Sequence, residues 1–277
     1  RVSRGLGDVY KRQSRNSSVV RPAFARTELI IYDMSATIKG AATELGTERI
    51  RKLLMQYAVP AIIAMTASSL YNMVDSIFIG HGVGPLAISG LALTFPLMNL
   101  AAAFGSLVGV GAATLISMRL GQRDYETAQR VLGNVLVLNL IIGIAFGLAA
   151  LLFLDPILYF FGASENTISY ARDYMNVILI GNVITHMYLG LNAVLRSSGF
   201  PKLAMYATLA SVVINCVLNP LFIFGFGWGI KGSAWATVIS QVISLTGQLI
   251  HFSRPKELLH FKKGIYRLKS EIVKGIL

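Results

Sequence analysis

Asp75 is the one carboxylate inside a long apolar stretch of this 277-residue sequence, and its surroundings make it a candidate for chemistry. An aspartate near the centre of a membrane helix costs about 2.5–3.5 kcal/mol on insertion scales, so an acid kept there calls for a compensating role. The role its chemistry allows is reversible binding of a proton or a small cation. Amides and hydroxyls recur at helical spacing around it. Ser68, Asn72 and Asp75 follow i, i+4, i+7; Ser211, Asn215 and Asn219 follow i, i+4, i+8; Ser233, Thr237, Gln241, Ser244 and Gln248 line a later segment. Taken singly, such residues read as hydrogen-bonding glue between helices, and Asp75 as an acid reaching water at a helix end. Depth favours the ion site. Counted from Gly80, Gly225 and Lys231 at ~1.5 Å per residue, Asp75, Asn219, Asn215 and Thr237 lie ~7–15 Å inside one boundary.

Other residues add weaker signals. Pro60 and Pro220 fall inside apolar stretches, where a proline frees a carbonyl and permits a bend; a bend at Pro60 would move Asp75. Asn182, Thr185 and His186 form a second polar patch, with Asn182 a candidate for a cavity wall and His186 an interior hydrogen-bonding histidine. Gly105/Gly109 and Gly143/Gly147 have the GxxxG spacing of close helix packing. Enzyme chemistry finds no support: there is no phosphate loop, no HExxH pair and no nucleophile beside a base. No cofactor is expected beyond a coupling ion, H+ or Na+, with Asp75 the place for sodium. The lone Cys216 excludes an internal disulfide framework.

The elements that position these groups follow from composition. Apolar residues make up 54% and charged residues 14%, with a mean hydropathy of +0.61, which excludes a disordered chain and an ordinary soluble globule. Charge-free stretches predict an all-α integral membrane protein with six spans at about 53–79, 86–118, 131–154, 174–195, 203–225 and 232–253. From Met34 onward, sixteen Lys/Arg fall on one side of these spans and two, Arg172 and Lys231, on the other. That asymmetry puts both ends of the span set in the cytoplasm and explains the net charge of +12 without a nucleic-acid partner.

The ends read differently from the middle. Residues 3–13 resemble a translated sequencing-library adapter, so 1–33 are expected to be upstream artefact or disorder, against the alternative of a basic arm at the membrane surface. Residues 34–52 form a cytoplasmic lead and 53–253 the six-helix unit. Residues 254–277 read as an amphipathic linker on the inner surface and the start of a seventh helix, because RLKSEIVKGIL resembles the run-in RIRKLLMQYAVP. A truncated reading frame holding the first half of an internally repeated transporter is the expectation.

Three segments carry a family resemblance: LLMQYAVPAIIAMTASSLYNMVDSIFIG at 53–80, LGLNAVLRSSGFPK at 189–202 and VINCVLNPLFIFGFGWGIKGSAWATVIS at 213–240. Over about 49–277 the sequence resembles the multidrug and toxic compound extrusion (MATE) family. The resemblance implies one lobe of a twelve-helix, two-lobed bacterial membrane antiporter that exports drugs or organic cations in exchange for H+ or Na+. It assigns Asp75 as the coupling acid, Asn215 and Thr237 as its surrounding amide and hydroxyl, Pro60 as the bending proline and Tyr71 as a cavity-lining aromatic. Asn219 departs from it, since many relatives carry aspartate there; two carboxylates would titrate as a coupled pair, whereas Asp75 with Asn219 leaves one titrating group. Implied partners are the drug, the bilayer and the missing C-terminal lobe. The alternatives are a lipid-linked precursor flippase, whose arginine-rich cavity the six spans do not supply, and a non-transporting membrane scaffold.

Overall fold

A computed structural model describes residues 49–277; the expectations for 1–33 and for most of 34–52 lie outside the described residues. All regular structure among the described residues is helical: α1 (Ile50–Gly82), α2 (Pro85–Gly121), α3 (Tyr125–Leu152), α4 (Leu154–Phe160), α5 (Ile168–Ile180), α6 (Asn182–Ser197), α7 (Pro201–Pro220), α8 (Gly229–Phe252) and α9 (Ser270–Ile276). Among the described residues four helical segments are long and apolar enough to cross a membrane: α1, α2, α3, and α7 with the π-helical turn Leu221–Gly225 that continues it. The pair α5 and α6 would make a fifth span, bent by 57°. The 24 residues of α8 reach ~36 Å at ~1.5 Å per residue, but buried Ser233, Thr237, Ser240, Ser244 and Gln248 make it less apolar.

Helix ends depart from the charge-free stretches because helix formation does not stop at a charge. The helix expected at 131–154 starts at Tyr125, where the Asp124 side chain caps it by accepting from the Thr127 N–H at 3.1 Å. It stops at Leu152, and α4, which the hydropathy pattern does not separate from it, follows. The span expected at 174–195 is two helices that meet at Gly181 and begin at Ile168. The absence of charge hides that bend, although Gly181-Asn182 stands at its apex. At the other extreme, α1 runs unbroken through Pro60.

The bend is held from two sides by the glycine pairs. A Cβ on Gly105 would stand 3.1 Å from the His186 ring, and one on Gly109 3.0 Å from Gly190 Cα, so α2 lies against α6 at backbone distance. On α3, a Cβ on Gly143 would stand 3.1 Å from Val183 Cα and one on Gly147 3.2 Å from the Leu179 carbonyl oxygen. Both GxxxG pairs therefore dock on the same bent element.

Two hydrophobic cores occupy opposite ends of the bundle. One gathers Val108, Leu132, Leu191, Leu195 and Phe252; the other gathers Ile79, Leu91, Leu158, Tyr174 and Ile230. Large apolar side chains on the outside, such as Leu54, Ile62 and Leu148, are exposed, as lipid contact requires. The tail corrects the expectation of an amphipathic segment lying on the surface. Leu259, Ile272 and Ile276 join the first core, and α9 crosses α2 so closely that a Cβ on Gly111 would overlap the Ile276 carbonyl. Burying three aliphatic side chains against α2 and α3 outweighs what a surface orientation offers them.

Candidate functional site

Between the two cores the polar faces of α1, α7 and α8 meet. Asp75 is 5% exposed and accepts two side-chain hydrogen bonds, from Asn219 Nδ2 of α7 and from Ser233 Oγ of α8 at 2.5 Å. No cation is paired with it among the described residues. Its charged form would thus rest on two neutral donors, a thin compensation for an anion taken out of water, and the neutral form or a bound cation relieves it. The Asn219 side-chain oxygen is buried beside it without a hydrogen-bond partner among the described residues. Asp75, Asn219 and Ser233 together offer hard oxygen atoms of the kind small cations prefer.

Asn215 and Thr237 do not touch Asp75. They form a second cluster with Tyr71: Tyr71 Oη lies 2.7 Å from Thr237 Oγ1, and Asn215 Nδ2 donates to Thr237 Oγ1 at 3.2 Å and to Tyr71 Oη at 3.5 Å. One turn along each helix, four residues, separates the members of the two clusters: Tyr71 and Asp75, Asn215 and Asn219, Thr237 and Ser233. Thr237 Oγ1 also donates to the Ser233 carbonyl at 3.2 Å, so the clusters share α8 backbone. In the sequence Ser233 stands on the polar face of its helix, and its i, i+4 relation to Thr237 is the signal that ties it to the site.

The second cluster is the wall of a cavity of about 330 Å³, lined also by Ser68, Tyr188 and Gln241. A neighbouring cavity of about 450 Å³ shares Ser68, Tyr188, Leu189 and Thr208 with it and runs on to Asn192 and Arg196. The two form one groove along the inner faces of α1, α2, α6, α7 and α8. Asp75 does not line it; the Tyr71 and Thr237 hydroxyls stand between the carboxylate and the groove. Arg196, counted as a loop residue from the sequence, sits in the last turn of α6 and lines the far end.

Asn182 is a correction. The groove does not include it; its side chain is 1% exposed and Nδ2 donates to the Gly143 carbonyl at 3.0 Å. As the first residue of α6 after the bend it faces α3, so it ties the bend to its neighbour. Thr185 does reach the groove wall, donating to Gln241 Oε1 at 2.6 Å. Pro60 is buried in α1 fifteen residues before Asp75, ~22 Å along the helix axis.

A family model described as MatE matches residues 60–221. The chain is 33% identical over 210 residues to a "Multidrug export protein MepA" of Staphylococcus haemolyticus, covering 76% of this chain and 46% of that protein. It is 30% identical over 246 residues to the protein of the same name from Staphylococcus saprophyticus, covering 89% and 52%. Among solved structures it resembles a MATE transporter in the bent conformation (TM-score 0.77, 28% identity, 88% of this chain and 52% of that one). It resembles equally an outward-facing multidrug resistance MATE transporter of the MOP superfamily (TM-score 0.77, 28% identity, 87% and 52%). The chain spans about half the length of the relatives it matches.

Proposed function

From the premise that the chain belongs to the multidrug and toxic compound extrusion family, we propose that it supplies the ion-coupling lobe of an antiporter that exports drugs or organic cations. One observation carries the reading: a buried carboxylate bonded from two other helices lies directly behind the polar wall of a groove. Asp75 takes a proton or a sodium ion, with oxygens of Asn219 and Ser233 beside it. Occupation changes the charge that the Asn219 and Ser233 donors face. Because these groups sit on α7 and α8, one turn from Asn215 and Thr237, the change reaches the groove through two helices rather than by direct contact.

The ion drives the cycle only if it binds the two states of the lobe unequally. The groove wall offers the means, since Tyr71 on α1 and Thr237 on α8 hold each other only while those helices keep their spacing. Pro60 is the position at which α1 would give way. The basic sides of the spans face the cytoplasm in this reading, with the groove closed by a second lobe.

The test uses the complete protein in vesicles, with export of a fluorescent organic cation driven by an imposed proton or sodium gradient. Asp75→Asn is expected to fold, to bind the dye and to lose gradient-driven export. The gradient that drives the wild type identifies the ion. Gradient-driven export by Asp75→Asn at the wild-type rate refutes the assignment.

A further inference from the structure

The connection between α8 and α9 concentrates positive charge at one end of the bundle. Lys262, Lys263, Arg267 and Lys269 lie within eight residues, all exposed, and with Glu126 and Arg130 of α3 they line a cavity of about 890 Å³, five cations to one carboxylate. Arg130 is paired with Glu126 at 2.5 Å, but no carboxylate among the described residues is paired with the four loop cations. Like charges so close repel one another, and an unconstrained loop would spread them apart.

This loop is held in place instead. Asn134, fully buried in α3, donates from Nδ2 to the carbonyls of Ile265 at 3.3 Å and Arg267 at 3.4 Å, and accepts from the Lys269 N–H at 3.3 Å. Gln129 Nε2 donates to the His260 carbonyl at 2.7 Å. The loop backbone approaches α3 where Gly133 leaves room, since a Cβ there would stand 2.4 Å from the Ile265 oxygen. Ile265 is buried, while Tyr266 and Leu268 are 44% and 41% exposed and alternate with the cations.

A buried asparagine, a glutamine and a glycine thus fix four mutually repelling cations around one concavity, an arrangement that an anion would relieve. The first turn of α3 and the last turn of α8 are ends of membrane-length helices, so the concavity lies at the level of lipid headgroups. We propose that it binds the headgroup phosphate of an anionic phospholipid, with Tyr266 and Leu268 against the glycerol and upper acyl region. The exposed apolar pair is what favours a lipid over free phosphate, which has no use for it. Basic concavities between membrane helices recognise headgroups by this chemistry.

The proposal is separable from ion coupling, because its test needs no transport. The full chain carrying Tyr266→Trp as reporter, with Trp228→Phe and Trp235→Phe, is placed in phosphatidylcholine nanodiscs containing dibrominated phosphatidylglycerol or, at the same fraction, dibrominated phosphatidylcholine. Quenching reports which lipid is enriched at the loop. At about fivefold per cation near the surface, even two of the four cations acting in full lead to an enrichment of phosphatidylglycerol of at least about tenfold. Lys262, Lys263, Arg267 and Lys269 changed together to Gln should bring it to near onefold, and retained enrichment overturns the proposal. Asn134→Ala keeps every charge but frees the loop, and should cut the enrichment at least about threefold on the same per-cation scale. Unchanged enrichment in that variant overturns the built site in favour of bare charge. Excess inorganic phosphate should leave the enrichment intact; its abolition overturns the lipid assignment.

Discussion

Gly109→Ala measures how closely α2 must approach the bent element. A Cβ at this position stands 3.0 Å from Gly190 Cα and 3.2 Å from Ala193 Cβ. Ordinary carbon contacts lie at about 3.5–4.0 Å, so the helices must part by a few tenths of an ångström. The nearest atom is backbone, which cannot rotate aside. Overpacking of this kind costs about 1–3 kcal/mol, and the better helix propensity of alanine returns up to about 1 kcal/mol, leaving a net loss of about 0–2 kcal/mol. Two comparisons isolate the contact. Gly247→Ala, in α8 with nothing within 4 Å of the new Cβ, should gain the propensity term alone. Gly190→Ala meets Asn139 Nδ2 at 2.1 Å, but that is the end of a side chain able to turn away, so its loss should be smaller than that of Gly109→Ala. Equilibrium unfolding of the chain in mixed micelles, followed by tryptophan emission, would place the unfolding constants of Gly109→Ala and Gly247→Ala about five- to a hundredfold apart, since the propensity gain cancels between them and 1.4 kcal/mol is a factor of ten. Equal stability of the two variants refutes the backbone contact between α2 and α6.

Three further outcomes follow from particular contacts. Tyr71→Phe removes the 2.7 Å contact with Thr237 at the groove wall while leaving Asp75, Asn219 and Ser233 untouched. A neutral hydrogen bond contributes about 0.5–1.5 kcal/mol, so the KM for the exported cation should rise by about two- to tenfold with ion dependence retained; loss of ion dependence contradicts the separation of the two clusters. Arg172 grips Asp155 through Nε at 2.8 Å and Nη2 at 2.7 Å and thereby holds that carboxyl below the usual carboxylate range. A lowered folded value means stability present above the unfolded carboxylate range and lost as pH falls through the folded value. With both groups more than a third exposed, Arg172→Gln should cost at most about 1 kcal/mol at neutral pH and nothing in strong acid, and an undiminished difference in acid contradicts it. Asn139 is fully buried in α3 with neither amide atom hydrogen-bonded among the described residues. Asn139→Leu should therefore raise the unfolding free energy by about 1 kcal/mol, and a drop of that size would mean the amide has a partner.

What could be read from the amino-acid order alone was set by burial and by period. A chain with charge-free stretches of membrane length can satisfy its backbone in lipid only as helices, so the helical class follows without coordinates. Polar residues repeated at i, i+4 along those helices must share a face, which singles out Asp75 and the amides and hydroxyls of two later segments. Three motifs in a fixed order were enough for the family resemblance.

Tertiary structure decided which members of those faces meet. Helical spacing fixes a face to within about a turn, but the rotation of each helix about its own axis is set by packing with its neighbours, and a quarter turn exchanges one partner for another. Packing therefore gives Asp75 to Ser233 and Asn219, and places Asn215 and Thr237 with Tyr71 instead. It turns Asn182 from the groove to the Gly143 carbonyl, because Gly143 and Gly147 draw α3 against the bend. The bend at Gly181 is not set by hydropathy: a Gly-Asn pair permits a break there, and packing against α2 and α3 decides that it occurs. The fold-back of α9 depends on Ile272 and Ile276 finding α2 and α3 far away in sequence, and the basic loop before it is shaped by Asn134, whose loop partners lie more than 130 residues along the chain. Such contacts are properties of surfaces brought together by folding, which no local spacing encodes.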